Sequence, residues 1–202
     1  MPIETEEELR THYASVNVRA AQKVLKKLDD HCKAFIAASP FFLLATSNGT
    51  DIDVSPKGDP AGSVLVEDDG AALLIADRPG NNRLDGLVNI VNHPWVATIF
   101  LIPGVSETLR VNGRASIHAE LAIRERVAMN DRLPATVTRL EVDEAYLHCA
   151  KALIRSKLWK PESWAQQRPV APMGEMLRDQ IGSDTEFETE AQMMKRYETQ
   201  LY

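Results

Sequence analysis

Leu109-Arg110-Val111-Asn112-Gly113-Arg114-Ala115-Ser116-Ile117 is the stretch that decides the fold class. Leu109, Val111, Gly113, Ala115 and Ile117 are apolar or small, and Arg110, Asn112, Arg114 and Ser116 between them are polar. This strict period of two predicts a strand with one buried face. Toward the N-terminus, residues 95–102 and 71–76 read as two further strands. Residues 41–47 form an apolar run ending in Asn48-Gly49, a hairpin signal, after which residues 52–55 can return antiparallel, with Thr50 and Asp51 lengthening the turn. Toward the C-terminus, residues 136–142 supply a sixth strand. Only a short helix near residues 82–92, and another between 119 and 130 before Leu133-Pro134, interrupt the strands. Six short strands with so few crossover helices favour a mainly β, six-stranded antiparallel barrel over a doubly wound parallel sheet. No Gly-x-Gly-x-x-Gly follows a strand, which also counts against a dinucleotide fold.

Helices flank this body. Thr5 followed by Glu8 fits a capping box. Ala21, Val24, Leu25, Leu28, Cys32, Phe35 and Ile36 recur on one helical face, and Ser39-Pro40 ends that helix. After the last strand, where Asp143-Glu144 reads as capping, a helix is expected from about 149 to 158. A proline-rich connector over 161–172 follows, then helices near 173–181 and 185–202. In the last of these Phe187, Ala191, Met194 and Leu201 share a face, which predicts packing on the barrel or on a second subunit. Residues 1–202 therefore read as one domain, with N-terminal helices over about 5–38 and a C-terminal helical extension over about 161–202.

Composition narrows the function. The 23 basic and 29 acidic residues give a net charge of −6, which argues against general nucleic-acid or anionic-membrane binding. With 44% hydrophobic and 26% charged residues the chain is ordinary for a globular protein. No apolar run approaches the ~18 residues of a membrane span, and the N-terminus is acidic, so a cytoplasmic protein is expected. Cys32 and Cys149 show no metal or disulfide spacing and read as buried thiols. Clustered metal ligands, Gly-x-Ser-x-Gly, His-Glu-x-x-His and the P-loop are all absent.

Three segments place polar groups where a plain core would not. Asp53-Val54-Ser55-Pro56-Lys57-Gly58-Asp59-Pro60 ends a strand with a hydroxyl, a long cation and free backbone N–H groups; taken alone, a simple loop is the commoner explanation. Asp77-Arg78-Pro79-Gly80-Asn81-Asn82-Arg83-Leu84 leads into a helix. Uncapped N–H groups there, with Arg78, Asn82 and Arg83, make a phosphate seat, unless Asn81 or Asn82 is an ordinary N-cap beside solvated arginines. The third segment, residues 148–160, carries four Lys or Arg and no Asp or Glu. If helical, it aligns His148, Lys151, Arg155 and Trp159 on one stripe that attracts an anion, or is a solvated basic face.

Taken in order, Ser-Pro-Lys-Gly-Asp, Asp-Arg-Pro-Gly-Asn and His-Cys-x-Lys-x-x-x-Arg-Ser-x-x-Trp resemble the pyridoxamine 5′-phosphate oxidase-like superfamily of FMN-binding split β-barrels, over about residues 29–160. The resemblance implies a homodimer with FMN at the subunit interface. It places the flavin ring along Asp53, Ser55 and Lys57 with Ala76 and Asp77 at its edge. Arg78, Asn82 and Arg83 would hold the phosphate, Thr108 would reach across from the partner subunit, and Lys151, Arg155, Ser156 and Trp159 would close the site. Lys57 or Lys151 near the pyrimidine edge could stabilise the reduced flavin's negative charge. In such enzymes the cofactor carries the electrons and no side-chain nucleophile is needed.

One departure matters. True pyridoxamine 5′-phosphate oxidases share a C-terminal Arg-x-His segment, and nothing after Trp159 matches it, which argues against vitamin B6 oxidation. The expected function is an FMN-dependent oxidoreductase acting on an unidentified small redox substrate, with a reduced nicotinamide as a possible electron donor. The alternative is a non-catalytic flavin- or haem-binding carrier or sensor.

Overall fold

The computed structural model describes residues 1–182 and 188–201. Its centre is one antiparallel sheet of seven strands: β1 (Phe41–Ser47), β2 (Ile52–Gly58), β3 (Leu65–Val66), β4 (Ala72–Ala76), β5 (Trp95–Leu101), β6 (Thr108–His118) and β7 (Val137–His148). Their spatial order is β2-β1-β5-β6-β7-β4-β3. The expectation of six strands closed into a barrel is thus corrected. A two-residue strand, β3, is too short to show a period, and the edge strands β2 and β3 are not paired with each other, so the sheet is unclosed. β3 offers too few ladder groups to close it, and Pro56 on β2 lacks an N–H, as suits an edge strand.

The decisive stretch forms β6, and its small residue has a reason. Between Asn112 and Gly113 the β6–β7 register shifts. There the two backbones approach so closely that a Cβ on Gly113 would stand 1.8 Å from the Glu141 carbonyl oxygen. Beyond this bulge β7 runs on to His148, pairing Asn112 with Glu144 and Thr108 with His148. Asp143 and Glu144 are therefore strand residues and not the expected helix cap, because the free end of β6 continues to supply hydrogen-bonding partners.

The expected single helix over Ala21 to Ile36 is also corrected. After α1 (Glu6–Thr11), which Thr5 caps through Glu8 N–H at 3.2 Å, come α2 (Val18–Gln22) and α3 (Asp30–Ala38). Between them Leu25 exchanges two backbone hydrogen bonds with Ala145, 2.9 and 2.8 Å. Pairing of β7 with β4 stops at Glu141, so the later half of β7 has a free edge that captures the Leu25 backbone. Asp29 then restarts the helix by accepting the Cys32 N–H at 2.8 Å, which also holds the Asp29 carboxyl below its usual range.

Inward-facing side chains Phe42, Leu44, Val96, Phe100, Leu109, Val111, Leu140 and Ala145 form the main core, with Cys32 and Ile36 of α3 on it. Phe42 and Phe100 stack with centroids 4.9 Å apart. β4 is buried on both faces, since Leu73 and Ile75 enter this core while Leu74 joins Val127 and Val137 in a smaller one. This explains why β4 reads as a continuous apolar run. Burial pushes the Cys32 thiol up to about 11, so it packs as a protonated, inert group; Cys149, against expectation, is exposed.

The remaining helices are α4 (Asp85–Asn92), α5 (Leu121–Arg126), α6 (Lys151–Ser156), α7 (Met173–Ile181) and α8 (Glu190–Gln200). The expected helix over 149–158 shrinks to α6. His148 is held in β7, and Lys157 takes a left-handed φ of 53° that stops the helix. Thr189 and Gln192 form a reciprocal capping box at the start of α8. Ala191, Met194 and Leu201 are exposed on this chain, so the predicted face is not buried, but Arg196, Tyr197, Gln200 and Leu201 line a cavity of about 1060 Å³ shared with the end of β2 and the loop after β4; Phe187 lies outside the described residues. Among the described residues no helix is long and apolar enough to cross a membrane.

Candidate functional site

β2 alternates half-buried Asp53, Ser55 and Lys57 with exposed Ile52, Val54, Pro56 and Gly58, and half-buried Asp59 follows directly after it. Register with β1 sets Asp53 beside Thr46, Ser55 beside Leu44 and Lys57 beside Phe42. The polar half of this edge strand therefore shares a face with buried residues. Across from it, the loop after β4 turns through Asn82 and Leu84, both left-handed at φ 58° and 61°. For a leucine that backbone costs roughly 1–2 kcal/mol, and it delays the start of α4 to Asp85 instead of Asn82. Among the described residues no side chain caps α4. The helix is held close to the sheet by Asn89 Nδ2, which donates to Thr46 Oγ1 at 3.1 Å. A Cβ at Gly86 would meet Thr46 Oγ1 at 3.5 Å and Asp53 Oδ2 at 3.6 Å, ordinary contact distances that place the start of α4 directly against β1 and β2.

Between these elements lies a cleft of about 600 Å³. Asp53, Ser55, Lys57, Asp77, Arg78, Asn82 and Arg83 all line it, together with the uncapped start of α4 and Leu133, Pro134 and Ala135. Ala76 lines an adjoining space of about 250 Å³ in the open seam of the sheet, shared with Lys57 and Arg78. Two of the cations already have carboxylate partners: Arg78 Nε meets Asp59 Oδ2 at 2.6 Å in a largely buried pair, and Arg83 Nε meets Asp85 Oδ2 at 2.8 Å in an exposed one. Asn81, not Asn82, organises the turn by accepting the Arg83 N–H at 3.0 Å.

The other expected site residues stand elsewhere in the same chain. Thr108, 6% exposed, opens β6 beside His148, the last residue of β7. Lys151, Arg155 and Ser156 follow on α6. Trp159 lies three residues beyond that helix and donates its indole N–H to the Val105 carbonyl at 2.8 Å, which fixes the strap after α6 to the β5–β6 loop. None of these five lines the cleft. One chain thus presents two separate groups. The first is a walled cleft with three bases (Lys57, Arg78, Arg83) balanced by Asp53, Asp77 and Asp85. The second is a short basic helix whose Lys151 and Arg155 have no ion-pair partner among the described residues.

Sequence reasoning missed Asp85, Gly86 and residues 133–135 as cleft walls. Their only local signal is Leu133-Pro134, a loop mark that does not say which surface the loop covers. Asp59 was legible as part of the Ser-Pro-Lys-Gly-Asp run, but its pairing with Arg78, 19 residues on, depends on the seam between β2 and β4.

A sequence profile described as pyridoxamine 5′-phosphate oxidase matches residues 28–149. That span covers the cleft, Thr108 and the whole sheet, and ends before α6. No match was found among curated proteins. Solved structures similar to this chain include HupZ of Group A Streptococcus (18% identity, 59% of this chain and 93% of that one, TM-score 0.48). A pyridoxamine 5′-phosphate oxidase candidate from Lactobacillus delbrueckii is also similar (20% identity, 60% and 95%, TM-score 0.47). So is General Stress Protein 26 of Bacillus anthracis (16% identity, 57% and 88%, TM-score 0.44).

Proposed function

Because this chain belongs to the pyridoxamine 5′-phosphate oxidase family, whose members commonly bind flavin and often form dimers, we propose that it is an FMN-dependent oxidoreductase acting on a small redox substrate. Its site is completed between two copies of the chain. The observation that carries this reading is the convergence of Asp53, Ser55, Lys57, Asp77, Arg78, Asn82 and Arg83 on one cleft beside an uncapped helix start.

The residues present fit the group. A cleft of about 600 Å³ lies within the roughly 300–1,000 Å³ of small-molecule sites. The flat ring is accommodated against the half-buried face of β2, where Ser55 offers a hydroxyl and Lys57 a cation. A phosphate dianion is held by the amide hydrogens of the first turn of α4 with Asn82 and Arg83. Arg83 can turn to it because its bond to Asp85 is solvent-exposed, with 73% of the arginine side chain accessible. Arg78, locked to Asp59, positions the loop and adds positive field. Bound FMN supplies the two-electron chemistry, for which the chain needs no nucleophile of its own.

The balanced charge of the cleft explains why a second copy is needed. A dianion entering among three acids and three bases gains little net field. Lys151 and Arg155 of another subunit supply the missing positive charge, Thr108 adds a hydroxyl donor, and Ser156 and Trp159 close the pocket over the ring. The apolar face formed by Leu43 and Ala45 of β1 with Ala97 and Ile99 of β5, adjoining exposed Ile52 and Val54 of β2, is available for burial against that subunit.

The test is direct. Protein purified or incubated with FMN should be yellow, hold one FMN per chain, and be reduced by NADH or NADPH and reoxidised by oxygen over many cycles. Binding without turnover would make the protein a carrier. Colourless protein that takes up no FMN would remove the proposal.

A further inference from the structure

A second cavity lies away from the cleft, where the N-terminal segment crosses the end of β7. It has a volume of about 640 Å³, again within the roughly 300–1,000 Å³ typical of ligand sites. Leu25, Phe35 and Leu147 give it an apolar wall, and Lys23 and Tyr146 stand at its polar end. The segment is fixed there by the Leu25–Ala145 backbone pair and by the Lys23 ammonium, which donates to the Leu147 carbonyl.

Two cations without a carboxylate partner among the described residues stand together at this end. Lys23 Nζ and Arg110 Cζ both lie over the Tyr146 ring, 5.7 and 5.1 Å from its centroid. Neither forms an ion pair with any described residue. Arg110 Nε is buried and has no hydrogen-bond acceptor among the described residues. Asp29 and His31 also line the cavity; Asp29 keeps its negative charge while capping α3 through the Cys32 N–H, Glu144 accepts from Asn112 Nδ2 at 2.7 Å, and neither carboxylate pairs with Lys23 or Arg110. Two like charges sharing one ring repel, and the ring face offsets only part of that cost.

We propose that this cavity is a ligand site for a small amphipathic carboxylate, whose hydrocarbon body lies on Leu25, Phe35 and Leu147 and whose anionic head meets Lys23 at the Tyr146 end. The inference is independent of the flavin reading, because cavity, residues and charge all lie outside the cleft.

Fluorescence titration of the full-length protein with 1-anilinonaphthalene-8-sulfonate tests it, with 3-phenylpropionate and its uncharged analogue 3-phenylpropanol as competitors. Saturable binding of one dye per chain is expected, with phenylpropionate displacing it at about one-tenth the concentration of phenylpropanol that is required. Lys23→Met should remove that tenfold preference for the acid and leave the alcohol's competition unchanged. Ala34→Trp, at an exposed helix position that lines the cavity, should abolish dye binding without shifting the melting temperature or FMN uptake. No saturable binding, equal competition by acid and alcohol, dye binding that survives Ala34→Trp, or displacement by FMN would each overturn the proposal.

Discussion

The cleft between β2 and α4 and the basic helix after β7 differ in what each can offer a ligand. The cleft has walls, backbone donors and a strained turn at Asn82 and Leu84, but its charges cancel. The α6 region has surplus charge, carried by six helical residues that are mostly exposed. Shape and charge are thus separated on one chain, and each region is incomplete in the sense the other could remedy. That division is what a site shared between two subunits requires.

The comparison can be broken most severely through β6, the strand that connects the sheet to the basic region. Gly113→Ala would drive a methyl group to 1.8 Å from the Glu141 carbonyl. The β6–β7 ladder would have to shift, at a cost on the order of 3 kcal/mol. The variant should be insoluble or should melt well below the wild type; an unchanged melting temperature would show that the bulge relaxes freely.

The next effects separate shape from charge. Arg83→Ala should weaken FMN binding by roughly 1.5–3 kcal/mol through loss of a charge-assisted contact, measured by titrating flavin fluorescence. Lys151→Ala with Arg155→Ala should weaken it as well. That loss should shrink steeply as salt rises, because it acts through a solvent-exposed field. A salt-independent loss would mean that these residues act by packing.

Two smaller predictions concern stability alone. Asp29→Ala removes the cap of α3 and should cost about 1 kcal/mol. The Arg139 guanidinium beside Glu67 holds that carboxyl below its usual range, and Asp29 is lowered in the same sense. Each therefore binds a proton more weakly in the folded chain than in the unfolded one. Their contribution is complete above the ordinary carboxylate pKa of roughly 4 and disappears as pH falls below it. Chemical denaturation at pH 6 and pH 3 should show wild-type stability falling, and Glu67→Gln should fall less. The smallest expected effect is truncation after Pro172. Since α8 buries no residue on its own chain, the melting temperature should barely change, and a large drop would show that α8 braces the end of β2 or a partner subunit.

Much of this was legible in residue order because the signals are local. The period of two in β6, the Asn48-Gly49 turn and the apolar run of β4 each need only neighbours in sequence. What escaped were outcomes of competition between distant groups. The helical spacing of Ala21 to Ile36 is real, yet the free edge of β7 captures Leu25 and splits the helix. β7 outruns its expected end because β6 offers partners as far as Thr108. The first half of the candidate site was readable as two motifs, since strand and turn residues meet across a single seam. That Lys151 and Arg155 stand apart from it was not readable, because chain order does not reveal which surface a six-residue helix occupies.

The most direct test of a shared site is subunit complementation. Arg83→Ala and Lys151→Ala chains, each deficient in FMN binding, are mixed, allowed to exchange, and titrated with FMN while sedimentation reports the dimer. If the two regions meet across subunits, each mixed dimer contains one intact site and one carrying both lesions, so half of its sites should regain wild-type affinity. A mixture that binds no more FMN than the two variants measured separately would contradict the account.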